Sequence, residues 1–324
     1  MTAFVTGGTG FIGSHLVDNL LGEYRSDQVR CLVRNHDRWL TGKSVTRVHS
    51  DLFNLSDMRR ALQGVEIVYH IAGMVKAPSE RELLHANVEA TETLIRLAAK
   101  SGVKKVIVLS SLAAVGPSNG SPVTETVPMN PISSYGRSKM KMEEMIRSLD
   151  LPDMTITILR PPAVYGPREE QIYTWFKLLN KRFSPVIGDG TSPRLSMIYV
   201  SDLIRGIRLA EKIEQPGVYT FFLTGPEIVN WNQIRKIGSK VLGKRSIPLY
   251  IRPNWVSKIA GAVESTASLF GAYPAFNREK AREMVHEWTC SSRKAETELG
   301  YRPEVDLEEG ISRTIHWYKK HHWL

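Results

Sequence analysis

Through the first half of the chain, short β-branched apolar runs alternate with longer stretches whose apolar residues recur every three or four positions. "AFVTG" (Ala3–Gly7) predicts a strand and "FIGSHLVDNLLG" from Phe11 an amphipathic helix. The same two periods then recur in the strand "VRCLVR", the short helix "MRRALQG" and the strand "IVYHIAG". The helix "ANVEATETLIRLAAKSG" follows, with Gly102 as its stop, then the strand "KVIVLSS", a helix from about Ser134 to Leu149 and the strand "TITILRP". Such alternation predicts an α/β fold, a doubly wound parallel sheet with helices on both faces. Around Gly166 the rhythm breaks. "SMIYVSDLIRGIRLAEK" and "VYTFFLTG" predict one more helix and strand returning to the sheet, and the remainder from Pro226 is mainly helical. The expected division is a larger domain over 1–168 joined by 198–225, and a smaller, mainly helical one over 169–197 and 226–324.

Composition narrows this picture without overturning it. A chain of 324 residues can bury a sizeable core in one large domain or two unequal ones. Its formal charge of +10 favours anionic ligands, yet no run of five or six Lys/Arg occurs. The basic residues read as dispersed over a solvated surface, so a phosphate-bearing small molecule is expected and nucleic acid is not. Cys31 and Cys290 have no metal-ligand spacing and read as reduced packing residues of a cytoplasmic protein. "MTAFVTGG" lacks the charged and apolar regions of a signal peptide. No window reaches the run of about 18 apolar residues that a membrane span needs. The nearest, Trp255–Phe276, is interrupted by Lys258 and Glu264. It is expected to be a buried or pocket-lining helix, with interfacial membrane contact as the lesser alternative. His316, His321 and His322 are expected in a frayed, solvated terminus without metal.

"VTGGTGFIG" follows the first strand and opens the first helix. Gly8, Gly10 and Gly13 give G-x-G-x-x-G, and Gly7, Gly10 and Gly13 also give G-x-x-G-x-x-G. Glycines here allow a tight turn and close approach of a pyrophosphate. The helix N-terminus, at Phe11 and Ile12, offers free N–H groups and partial positive charge. The larger domain is therefore a Rossmann-type dinucleotide-binding domain, and the smaller one binds substrate. At the end of the second strand, where a carboxylate would select NAD, "LVRNHDR" places Val33 and Arg34, with no acid before Asp37. Arginine suits a 2′-phosphate, which favours NADP with NAD as the alternative. Asp51 and Leu52 follow the third strand and could edge the adenine. Ala72 and Gly73 follow the fourth and would let cofactor pass close.

Tyr135 and Lys139 lie four apart, on one face of a helix. A phenol titrates near pH 10, too high for an efficient base at neutral pH, and a nearby ammonium should lower that value. Lys139 could also bond the nicotinamide ribose. Ser110 and Ser111 end a strand, and either could donate to a carbonyl oxygen.

With these residues assembled, the chain resembles an extended short-chain dehydrogenase/reductase of the NAD(P)-dependent epimerase/dehydratase type, on the side of the 3β-hydroxysteroid dehydrogenase-like and dihydroflavonol reductase-like members. The matching stretches are "TGGTGFIG", Asp51-Leu52, "HIAG", Asn87, "SSLAAVG", "YGRSK", "RPPAVYGP", "GDG", "YVSDL" and "LTGPE", in family order over most of the chain. The resemblance implies that Ser111 is the catalytic serine, Tyr135 the acid/base and Lys139 its partner. It further implies that Asn87 braces the active-site end of the sheet, that Pro161–Val164, with Pro162 and Val164 at the cofactor, sit beside the nicotinamide, and that the protein is a homodimer. Departures from the pattern narrow the chemistry. Leu112 and Ala113 stand where dehydratases carry an Asp-Glu pair, and Ala163 where epimerases commonly carry Asn. Arg194 occupies the place of an epimerase arginine that holds nucleotide phosphates. The leading expectation is a dehydrogenase or reductase of a hydrophobic small molecule. A nucleotide-sugar epimerase comes second and a non-catalytic cofactor sensor third.

Overall fold

The computed structural model describes residues 1–268, 274 and 276–324. The doubly wound sheet expected from the alternation is present. In chain order its first part runs β1 (Ala3–Thr6), α1 (Phe11–Leu21), β2 (Val29–Val33), β3 (Thr46–His49), α2 (Leu55–Leu62), β4 (Ile67–His70), α3 (Glu80–Leu84), α4 (Ala90–Lys100), β5 (Lys105–Leu109), α5 (Ser134–Ser148) and β6 (Thr155–Arg160). There follow β7 (Ala163–Tyr165), α6 (Gln171–Asn180), β8 (Phe183–Ile187), β9 (Leu195–Tyr199), α7 (Val200–Ala210) and β10 (Gly217–Phe222). The last part comprises β11 (Ile228–Val229), α8 (Trp231–Leu242), β12 (Ile247–Ile251), α9 (Pro253–Ser268), α10 (Arg278–Met284), α11 (Arg293–Leu299) and α12 (Leu307–Lys320).

Seven strands form one parallel sheet in the order β10-β6-β5-β4-β1-β2-β3. Burial on both faces explains why these strands read as continuous apolar runs rather than alternating ones. Along β1, Ala3 and Val5 join the core beneath α1 and α7, while Phe4 joins the opposite core with α2, α4 and α5. Strand order reverses between β1 and β4, and a crevice opens there at the carboxyl ends of the strands. Side-chain caps set the helix starts, as with Asn54 on α2, Ser133 on α5 and Asp306 on α12.

Beyond β6, β7, β9 and β11 make a small sheet and β8 pairs in parallel with β12. "LSMIY" is a strand, so the stretch expected as one helix is β9 followed by α7. Two further expectations need correcting. Rather than being buried, α9 is amphipathic: Val256 and Ala260 are covered, while Trp255, Ile259 and Val263, four apart, are exposed. Residues 269–273 and 275 of that expected segment lie outside the described residues. Nor is the terminus a frayed tail. Trp323 stacks on Tyr318, Trp317 packs edge-on to Trp39, and the Tyr173 hydroxyl donates to the Trp323 carbonyl. Among the described residues no helix is long and apolar enough to cross a membrane. No group of His, Cys, Asp and Glu among them could hold a metal ion.

Candidate active site

The loop between β1 and α1 forms a cradle that side chains would fill. Gly7 has φ of +74°, and a Cβ on Gly13 would lie 2.1 Å from the Gly7 carbonyl oxygen. Only glycine fits this turn. No side chain caps the N-terminus of α1 at Gly10, so the first-turn N–H groups of Phe11, Ile12 and Gly13 face the crevice without intrahelical partners. Gly7 packs directly on Ala72 after β4, where a Cβ would lie 2.7 Å from the Ala72 nitrogen, and Gly73 follows beside Lys139 and Asn87. A close-packed backbone with free donors and a positive helix end fits a pyrophosphate.

Tyr135 and Ser111 meet because Gly136 lets α5 approach the turn after β5. A Cβ on Gly136 would lie 2.4 Å from the Ala113 carbonyl oxygen. The choice between the two serines is made by long-range contacts. Ser110 is buried and donates to Glu143 Oε1 at 2.6 Å, so its hydroxyl is used. Ser111 turns towards the cleft, where its hydroxyl accepts from the Ala113 N–H at 3.1 Å and interacts with the Tyr135 phenol.

The electrostatics differ from the sequence expectation. Burial pushes the Tyr135 phenol up to about 12, against the pull of Ser111, which favours the phenolate. Lys139 does not pull it down. Its ammonium is buried, donates to the Leu109 carbonyl at 2.8 Å, lies beside Gly73, and is itself lowered by burial from 10.5 to about 8. The cation sits one step away, at the strand ends of β4 and β5, where desolvation weakens its charge.

Asn87 lies buried in a π-helical turn, His85–Glu89, that widens the junction of α3 and α4. Its amide accepts from the Met74 N–H and donates to the Met74 carbonyl, each at 2.8 Å, and donates to Ser138 Oγ at 2.9 Å. It thereby clips the loop after Gly73 to the Tyr135 helix. Sequence reasoning missed two supports. His70 bridges Thr6 and Thr91 at 2.8 Å on either side, and burial lowers it to about 3, so it stays neutral. Thr91 donates to the Asn87 carbonyl, so His70 carries its proton on Nε2. The second is the buried pair Glu143–Arg160, bidentate at 2.9 and 2.6 Å, beneath Ser110. A histidine ending an apolar strand and a carboxylate four residues after Lys139 were the available signals.

The other predicted residues are distributed around the crevice. Arg34 stands exposed at the end of β2 with no ion-pair partner among the described residues, whereas Asp37 is bound by Arg47 at 2.6 Å. Asp51 caps its own turn through the Phe53 and Asn54 N–H groups, with Leu52 beside it. Pro162 and Val164 lie where β6 passes into β7. Arg194 is occupied: its guanidinium bonds Glu287 at 2.8 and 3.0 Å and the Gly120 carbonyl at 3.1 Å. From the C-terminal part, α10 covers the start of α5, with Glu279 accepting from the Ser134 hydroxyl at 2.6 Å.

Comparison with known proteins agrees with this geometry. A model of the NAD dependent epimerase/dehydratase family matches residues 3–220. The chain is 30% identical to a ceramide reductase of Caulobacter vibrioides, over 99% of this chain and 95% of that one. It is 29% identical to a putative UDP-glucose 4-epimerase of Methanocaldococcus jannaschii, over 97% of each. The crystal structure of DesIV, a dTDP-glucose 4,6-dehydratase from Streptomyces venezuelae with NAD bound, aligns with a TM-score of 0.81 at 25% identity, covering 100% of this chain and 98% of that one.

Proposed function

This chain belongs to the NAD dependent epimerase/dehydratase family, and from that premise we propose that it is an NADP-preferring reductase of a ketone carried by a hydrophobic small molecule, reversible to the secondary alcohol. The observation that carries the reading is the Ser111–Tyr135 hydroxyl pair, with Tyr135 held protonated at neutral pH beside the glycine cradle. A neutral phenol is the acid form, ready to give a proton to an oxygen that is gaining charge.

The nicotinamide cofactor supplies the hydride when bound. The backbone of Gly7, Gly10, Phe11, Ile12 and Gly13 would hold its pyrophosphate and Arg34 its 2′-phosphate. Asp51 and Leu52 would flank the adenine, Ala72 and Gly73 would line its path, and Pro162, Val164 and Lys139 would bound the nicotinamide end. Ser111 donates a hydrogen bond to the substrate oxygen and fixes its position. Tyr135 donates its proton to that oxygen, and the Lys139 ammonium, held on the Leu109 carbonyl, would hydrogen-bond the nicotinamide ribose. Asn87 positions rather than reacts, since both its amide N–H donors and one acceptor site of its oxygen are used in holding Met74 and Ser138.

Leu112 and Ala113 cannot move a proton, which disfavours elimination. Nucleotide-sugar epimerisation remains the competing reading because of the similarity to the putative epimerase, but it would require Arg194 to leave Glu287. Similarity to a ceramide reductase over nearly the whole chain supports an apolar substrate. The deciding experiment follows NADPH oxidation with long-chain and polycyclic ketones, and sugar inversion with UDP- and dTDP-sugars, in wild type and Tyr135→Phe. Ketone-dependent NADPH oxidation that falls at least about 100-fold in Tyr135→Phe is expected. Sugar inversion without net NADPH consumption, or undiminished turnover in Tyr135→Phe, would overturn the proposal.

A further inference from the structure

Residues 171–188 and 228–263 contain ten Lys and Arg and no Asp or Glu. With 43 basic and 33 acidic residues in the chain, charge outside these two segments balances. The cations that read as dispersed along the sequence are therefore gathered by the fold. β12 lies in parallel register on β8, α6 and α8 pack against β8 and each other, and Val256 and Ala260 of α9 cover Ile187 and Ile251. Among the described residues Lys181, Arg182, Lys236, Arg245 and Arg252 have no ion-pair partner, and α12 contributes one carboxylate, Glu308, to Lys240. A shallow basic concavity of about 510 Å³ is lined by Arg235, Lys236, Lys240, Lys244 and Arg245.

The same lobe leaves apolar side chains in water. Nine of the fifteen exposed large apolar residues among those described fall in these two segments. Ile247 (58% exposed) and Leu249 project from one face of β12, with Phe183 opposite Ile247 in register. Trp255 (55% exposed) and Ile259 share the outer face of α9, and the Lys258 ammonium lies 5.2 Å over the Trp255 ring. A free phosphate would not account for the apolar residues, and nucleic acid would gain little from exposed isoleucine and leucine. A second copy would bring two strongly cationic lobes together.

We propose that this lobe docks on an anionic lipid bilayer surface, with its cations on the headgroups and Ile247, Leu249, Trp255 and Ile259 in the interfacial layer. The docked lobe adjoins the cleft, because α9 packs on α10, and Glu279 of α10 holds Ser134 next to Tyr135. Docking goes beyond the reductase reading and does not require it.

The test is co-sedimentation of the intact protein with vesicles of phosphatidylcholine, with and without phosphatidylglycerol, at low and high salt. Wild type is expected to partition onto the anionic vesicles, less so at high salt. The double variant Arg245→Gln/Arg252→Gln is expected to lose about fivefold for each cation removed. Ile247→Ser/Leu249→Ser should lose binding while keeping its melting temperature and NADPH affinity, which separates lost docking from misfolding and from failure of the redox reading. Absence of sedimentation with anionic vesicles, equal partition onto pure phosphatidylcholine, or indifference to both double variants would overturn the proposal. Two other results would do the same: binding of a labelled DNA duplex in place of vesicles, or self-association abolished by Ile247→Ser/Leu249→Ser in sedimentation velocity.

Discussion

Replacing Lys139 by methionine should inactivate the enzyme without destabilising it at neutral pH. The residue is 3% exposed, and its ammonium makes one strong hydrogen bond, to the Leu109 carbonyl, and is shifted from 10.5 to about 8 by burial. At 1.36 kcal/mol per unit, the buried charge costs roughly 3 kcal/mol at pH 7. Methionine has similar length and no charge. It leaves the Leu109 carbonyl without that donor, which costs about 1–3 kcal/mol, so the two effects nearly cancel or favour the variant. The sharper readout is pH dependence. Between about pH 8 and 10.5 the unfolded chain holds a proton at Lys139 that the folded chain has released, so wild-type stability rises with pH across that window. The variant has no such group. Urea denaturation of both proteins across that range should show wild type gaining roughly 3 kcal/mol on Lys139→Met. A stability difference that stays flat from pH 7 to 11, or a variant several kcal/mol weaker at pH 7, would refute the assignment of Lys139 as a desolvated cation. Turnover at pH 7, where wild-type Lys139 is charged, should fall by at least about 100-fold.

Three other perturbations probe separate parts of the site. Gly13→Ala pushes a methyl to 2.1 Å from the Gly7 carbonyl, so calorimetric titration should find cofactor binding abolished and scanning calorimetry a lower melting temperature. Glu143→Gln strands the buried Arg160 guanidinium without a carboxylate, and denaturation should report a loss of about 3–5 kcal/mol. Arg34→Ala should weaken NADPH by at least about tenfold while leaving NADH little changed, in line with loss of a charge-assisted phosphate contact. NADH binding more tightly than NADPH to the wild-type protein would contradict the role given to Arg34.

The chain announces its sheet locally. "AFVTG" followed by "FIGSHLVDNLLG" carries strand period, glycine turn and helix period within about twenty residues, and each is a short-range property of backbone and side-chain size. That Tyr135 and Lys139 share one helix, a turn apart, is legible for the same reason, although their expected electrostatic coupling is not what the fold produces. Legibility ended where remote segments meet. Ser110 and Ser111 are chemically identical in sequence, and Glu143, 33 residues on, removes Ser110 from the cleft. Arg194 looked available until Glu287, 93 residues away, was found to hold it. The phenol of Tyr135 was expected to be lowered, but burial raised it. Desolvation depends on what surrounds a group in space, which its neighbours along the chain do not show. What the sequence determined by itself was the set of periods, turns and reactive side chains. The tertiary structure alone decided which hydroxyl faces the cleft, which charges are paired, and that ten separated cations share one lobe, since Coulomb and solvation energies act through space rather than along the chain.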